Sequence, residues 1–219
     1  MYINGNLKFN VFRIMSVKKF TLTILVIVIC SLSSQTVKAQ LSDAEKTSSF
    51  TPSYSISGSY APYSFRAWGK MLNTRHLFLK LGYSHSEFDL FSIRTHLSSE
   101  LILTGWLRYP LDGRNGQRET LYGFGMIPLI ANMPLSRGNH YPFITSSLGF
   151  IITQNHFPNL NGARFNFLLG TGAGYHIKTG PESAVQFGYK IHHLSNGYMA
   201  NENPGIDSVM LFVNILFNP

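Results

Sequence analysis

The chain has 219 residues, 13% of them charged and 14% aromatic, a formal net charge of +8 and a single cysteine. Residues 1–39 hold Lys8, Arg13, Lys18, Lys19 and Lys38 and no acid, so the remainder carries 13 basic against 10 acidic residues, a balance of +3 that does not call for nucleic acid. The lone cysteine, Cys30, excludes a disulfide framework.

Lys18 and Lys19 precede an apolar run from Phe20 to Leu32, and Val37-Lys38-Ala39 puts small residues at the usual cleavage positions. This pattern predicts a secretory signal peptide over 1–39, with Met15 the true start and Gln40 the first mature residue. Bulky Ile29 precedes Cys30 where a lipoprotein processing site needs a small residue, which argues against lipidation. Removal of the signal leaves no thiol, and 40–219 reads as one domain undivided by linker or low-complexity sequence.

No apolar run in 40–219 reaches the roughly 20 residues of a membrane-spanning helix. Period-two alternation recurs instead, in eight segments: 53–66, 76–89, 96–109, 119–133, 141–155, 163–178, 183–196 and 207–217. In the second, Leu77, Leu79, Leu81 and Tyr83 alternate with Phe78, Lys80, Gly82 and Ser84. In the third, Leu101, Leu103, Leu107 and Tyr109 share a parity opposed by Glu100, Thr104 and Arg108. The fourth is broken by Gly123, Gly125 and Pro128. In the sixth, Phe165, Phe167, Leu169, Tyr175 and Ile177 oppose Arg164, Asn166, Gly170, Gly174 and His176. Val185, Phe187, Tyr189 and Ile191 repeat the pattern in the seventh, and Val209, Leu211, Val213, Ile215 and Phe217 close the chain.

Half-apolar segments of about ten residues behind a signal peptide predict an all-β fold, an eight-stranded antiparallel transmembrane β-barrel. A soluble sandwich or lipocalin-like barrel would alternate equally, with its apolar face turned inward. Glycines on the polar parity, which suit a narrow lumen, and Phe217 near the C-terminus favour the membrane barrel. Phe167, Phe187, Ile191, Leu211 and Val213 are then expected to face lipid, and Arg164, Asn166, Gln186 and Lys190 the interior.

Two polar residues continue the apolar parity of the seventh segment: His193 and Ser195. Residues i and i+2 of a strand share a face. Asp207, twelve residues beyond Ser195, opens the eighth segment on the matching parity, and antiparallel neighbours bring such ends together. The three are candidates for base, nucleophile and orienting acid, because a serine hydroxyl needs an imidazole to take its proton and a carboxylate fixes that imidazole's tautomer. Glu202 is the rival acid, less well placed in a loop. His192, on the opposite parity, is expected in the lumen. The His192-His193 pair does not predict a metal site, since neighbours on a strand point to opposite faces. Asn196, Asn203 and the backbone N–H of Gly205 are candidate donors to an oxyanion. Arg66, Lys70, Arg75, Arg114 and Arg118 fall in two connections at the same end, where arginine suits phosphate recognition and ordinary solvated charge is an equal explanation.

The run His193-Leu194-Ser195-Asn196-Gly197, followed by Asn203-Pro204-Gly205-Ile206-Asp207-Ser208, resembles the C-terminal motif of the PagL family of lipid A 3-O-deacylases. That resemblance implies an eight-stranded outer-membrane barrel whose serine, histidine and acid lie on its exterior at the outer leaflet. It implies an ester hydrolase acting on lipid A of lipopolysaccharide through an acyl-enzyme on Ser195, with no cofactor, and leaves a homodimer open. The best-known members carry glutamate where this chain has Asp207, a shorter arm of the same charge. Alternative readings are a non-catalytic barrel, an adhesin or structural protein, and an esterase acting on phospholipid.

Overall fold

The computed structural model describes residues 52–90, 93–157 and 161–219; the expected signal peptide and the first mature residues lie outside the described residues. The strands are β1 (Ser53–Ala61), β2 (Ser64–Phe65), β3 (Arg75–Leu90), β4 (Ile93–Pro110), β5 (Arg118–Pro134), β6 (His140–Phe157), β7 (Ala163–Gly180), β8 (Ser183–Ser195) and β9 (Ile206–Phe217). Each long strand pairs antiparallel with its neighbour in sequence, and β1 pairs with β9 from Tyr54↔Phe217 to Tyr60↔Leu211, so the sheet closes on itself. Pro62, which has no N–H to give the ladder, interrupts the first wall. β2 resumes it against β9 at Ser64↔Ser208 and Phe65↔Asp207, so β1 and β2 together form one of eight staves.

The apolar parity faces outward. Phe187 and Leu211 are 45% and 55% exposed, and Phe167, Ile191 and Val213 are exposed with them. Tyr54, Tyr83, Tyr175, Phe187 and Phe217 lie on this outer face near the end that carries the C-terminus, in the manner of an interfacial aromatic girdle. Gln186 and Asn166 are buried as expected, and the Lys190 ammonium lies 5.3 Å from the centroid of the Phe212 ring. Arg164 departs from expectation. It lies near the start of β7, is exposed, and donates from Nε to the Thr153 carbonyl at 2.9 Å, holding the rim instead of filling the lumen.

One parity also fails. In β4, Leu101 and Leu103 face outward, but Leu107 and Tyr109 are fully buried. The cause is a bulge: the register shifts between Ile102 and Gly105 against β5, and Leu103 has no partner on β3 between Ile102 and Thr104. One inserted residue exchanges the two faces for the rest of the strand. Leu107 and Tyr109 thereby join Met71, Leu121, Phe157, Leu168, Leu194 and Ile206 in an apolar plug that fills one end of the lumen. Below it the interior also holds buried charge. Lys80 Nζ lies 2.6 Å from Glu100 Oε2, and Ser57 Oγ donates to Glu100 Oε1 at 2.9 Å. Removing one partner of such a buried pair typically costs about 3–5 kcal/mol, because it strands the other charge.

The connections β2–β3, β4–β5, β6–β7 and β8–β9 gather at the end closed by the apolar plug, and the C-terminus lies at the other.

Candidate active site

His193 and Asp207 are direct cross-strand partners on β8 and β9, and Ser195 stands two residues along β8 from His193, opposite Phe167 of β7. Pairing between β8 and β9 ends at Leu194↔Ile206, so Ser195 sits where β8 leaves its neighbour. His193 Nε2 lies 3.0 Å from Ser195 Oγ, and His193 Nδ1 lies 2.6 Å from Asp207 Oδ1. A hydrogen on Nδ1 donated to the carboxylate leaves Nε2 as acceptor for the serine hydroxyl, which is the tautomer a general base requires. Leu194 and Ile206, fully buried on the inner face, anchor this stretch of wall in the apolar plug. The site is thus preformed on two rigid strands.

The structure brings together the three residues singled out from the sequence, and adds a feature that the sequence did not reveal. Asp207 lies on the outward parity yet is only 2% exposed. The connection 66–74 passes over it as a strap. The backbone N–H groups of Ala67, Trp68 and Gly69 donate to Asp207 Oδ2 at 3.1, 2.6 and 2.5 Å. The Trp68 ring meets His193 edge-on, 5.9 Å between centroids, and is itself 79% exposed. Backbone amides carry no residue-type signature, so periodicity and motif spacing were blind to them; the only sequence signal is a glycine, Gly69.

The candidate oxyanion donors separate on geometry. Asn196 is buried and committed: its N–H donates to Asn203 Oδ1 at 2.9 Å, its Nδ2 to the Glu202 carbonyl at 2.7 Å, and its Oδ1 accepts from Tyr198 N–H at 2.9 Å. It shapes the β8–β9 loop. Asn203 has its Oδ1 turned to that amide, which directs Nδ2 away from it. Gly205 adopts φ 63°, a conformation few side chains tolerate, and a Cβ there would lie 3.2 Å from His193 Cε1. Its value is close approach to the imidazole.

Glu202, the rival acid, accepts from Asn161 Nδ2 at 3.2 Å across the loops, while Asp207 takes His193. His192 is buried in the lumen, 5.3 Å from His76 and 5.8 Å from Phe78 between ring centroids, as its parity predicted. Of the basic loop residues, Arg118 donates from Nη1 to the Asn73 carbonyl at 2.7 Å and so binds the β4–β5 connection to the strap.

A closed eight-stranded antiparallel barrel with an apolar outer wall is a transmembrane β-barrel, and this one carries a serine, a histidine and a carboxylate in hydrogen-bonded series on that wall. The family model of lipid A 3-O-deacylase (PagL) matches residues 79–215, and the chain belongs to this family of hydrolases. Among solved structures, the chain is similar to the crystal structure of the outer membrane enzyme PagL at 18% identity and a TM-score of 0.53, covering 73% of this chain and 97% of that one. It is also similar to Neisserial surface protein A, at 11% identity and a TM-score of 0.49, covering 78% of this chain and all of that one. A search of curated protein sequences gave no match.

Proposed function

We propose that the protein is an outer-membrane esterase that removes the 3-O-linked acyl chain of lipid A by a Ser195–His193–Asp207 triad. The observation that carries this reading is the hydrogen-bonded series from Asp207 Oδ1 through His193 to Ser195 Oγ, held on the lipid-facing side of the wall. An ester carbonyl buried at a leaflet is reached only from such a face. Family membership supplies the substrate class.

In this mechanism His193 Nε2 takes the hydroxyl proton as Ser195 Oγ attacks the acyl carbonyl carbon. Asp207 stabilises the imidazolium that forms. Asn203 Nδ2 and the Gly205 N–H are the donors left for the tetrahedral oxyanion, since Asn196 is committed within its loop; losing one such donor costs about 3–4 kcal/mol in well-studied hydrolases. Collapse breaks the C–O bond to the sugar, whose oxygen takes the proton from His193 and leaves as a hydroxyl. Water, deprotonated by the same imidazole, then attacks the acyl-Ser195 ester, releasing the fatty acid and restoring the serine. The site end of the barrel faces the outer leaflet, where lipid A resides, with the C-terminus on the periplasmic side.

Mass spectrometry of lipid A from cells with and without the expressed protein tests this reading. Lipid A is expected to lose the mass of one acyl chain, the 3-position being identified by fragmentation. Unchanged lipid A together with release of fatty acid from phospholipid would overturn the substrate assignment, and no released fatty acid from either would overturn the enzymatic one.

A further inference from the structure

We infer that the strap 66–74 is a positioning device for the acid, with the amides of Ala67, Trp68 and Gly69 setting the Asp207 carboxylate at the angle from which it orients His193, an assignment that rests on the triad reading given above. The two carboxylate oxygens divide their work. Oδ1 meets His193 Nδ1, and Oδ2 accepts all three strap N–H groups. Three donors converging on one oxygen lock both torsions of a short side chain. A carboxylate free to turn would present Oδ2 to His193 at other angles and allow the imidazole to swing away from Ser195.

The strap is itself fixed on both sides and at its base. Lys70 N–H donates to the Pro204 carbonyl at 2.5 Å and Met71 N–H to the Gly205 carbonyl at 3.2 Å, tying it to the β8–β9 loop. On its other side, Leu72 N–H donates to the Gly113 carbonyl at 2.9 Å. Ser64 Oγ closes the base, donating to the Met71 carbonyl at 3.0 Å and accepting from Thr74 N–H at 2.9 Å. Met71 is buried in the apolar plug.

Gly69 is where this device is most exacting. A Cβ there would lie 2.8 Å from both C and O of Gly205 and 2.9 Å from the Ile206 nitrogen, all backbone atoms that no rotamer change can move. Any side chain at 69 must therefore lift the strap from the β8–β9 loop and withdraw the amides from Asp207. Residues 66–74 lie before the stretch 79–215 that the family model matches.

The test compares Gly69→Ala with the parent protein, and in the Asp207→Asn background, following lipid A deacylation by the refolded full-length barrel. A misplacement of about 1 Å at a catalytic group costs on the order of 100-fold, so Gly69→Ala is expected to lower kcat by that order while leaving KM for lipid A unchanged. In the Asp207→Asn background, read with excess enzyme over long incubation, the same substitution is expected to change the residual rate by less than about twofold, because coupled residues are not additive. Ala67→Pro, which deletes one of the three donors at an exposed position, is expected to lower kcat by a smaller factor, and it carries the comparison if Gly69→Ala does not give the heat-resistant band of a folded barrel. Equal losses in both backgrounds, or a loss confined to KM, would overturn the assignment. Full activity of Asp207→Asn would instead show that the underlying triad reading had failed, whereas an inactive Asp207→Asn beside fully active Gly69→Ala and Ala67→Pro would defeat the strap alone.

Discussion

Ser195→Ala is expected to abolish lipid A deacylation while leaving a folded, heat-resistant barrel. Among the described residues, the Ser195 hydroxyl is the group that hydrogen-bonds His193 Nε2, and the acyl-transfer step has no other nucleophile in that series. Loss of a triad serine costs on the order of 10⁶ in kcat in a well-studied hydrolase. The structural cost is small by comparison, because substitutions at the surface usually stay within about 0.5 kcal/mol, and the wall behind Ser195 is held by Leu194 and Ile206, which face the opposite way. His193→Ala is expected to fall as far, and the double variant no further, since the two act as a unit. Kinetics on purified lipid A beside a gel assay for the folded barrel check both. Parent-like deacylation by Ser195→Ala would eliminate the serine mechanism.

Asp207→Asn is the second large effect, and the strap makes its direction specific. Three N–H groups already point at the Oδ2 position. An asparagine must therefore present its oxygen to the strap and its NH2 to His193. The NH2 is a donor, so His193 Nδ1 has to accept, the ring hydrogen moves to Nε2, and Ser195 loses its base. The equivalent exchange in a serine protease lowers kcat by about 10⁴ for the same tautomeric reason. Asp207→Glu keeps the charge and is expected to retain far more activity than Asp207→Asn, the longer arm being limited only by the space beneath the strap. Glu202→Gln, by contrast, is expected to remain near the parent rate, because the carboxylate meets Asn161 and the Glu202 contact with Asn196 is made by the backbone carbonyl. A damaging Glu202→Gln beside a silent Asp207→Asn would reverse the assignment of the acid.

Much of this architecture was legible in the chain because a membrane barrel imposes the same constraint on every stave. Lipid on one side and a narrow lumen on the other enforce strict alternation, and the eight expected segments match the observed staves to within a few residues. Alternation read the outer wall of β8 and β9 correctly from Phe187 to Asp207. It failed in β4 because a bulge at Leu103 leaves no mark in hydrophobicity: Leu107 and Tyr109 are as apolar inside the plug as they would be facing lipid. Arg164 is exposed, unlike Asn166 on the same parity, because it is the second residue of β7, at the rim of the wall.

The candidate site was readable for a related reason. His193, Ser195 and Asp207 fall within fifteen residues, on two adjacent strands, and share one parity. The groups that complete it did not fall within reach of that logic. The strap amides lie 138 to 140 residues away in sequence from Asp207, and act through backbone atoms that every residue but proline possesses. Asn196 failed as an oxyanion donor for an equally local reason: its side chain is spent inside its own loop, a commitment that emerges only when the loop is folded.

Covalent trapping tests the central claim most directly. A lipophilic fluorophosphonate, incubated with the folded barrel and followed by peptide mass spectrometry, reports which hydroxyl is activated. Ser195 is expected to carry the phosphonate in the parent protein, to lose it in His193→Ala, and to be labelled at a rate that falls in step with lipid A deacylation. A label on another residue, or complete labelling of Ser195 with deacylation undiminished, would contradict the account.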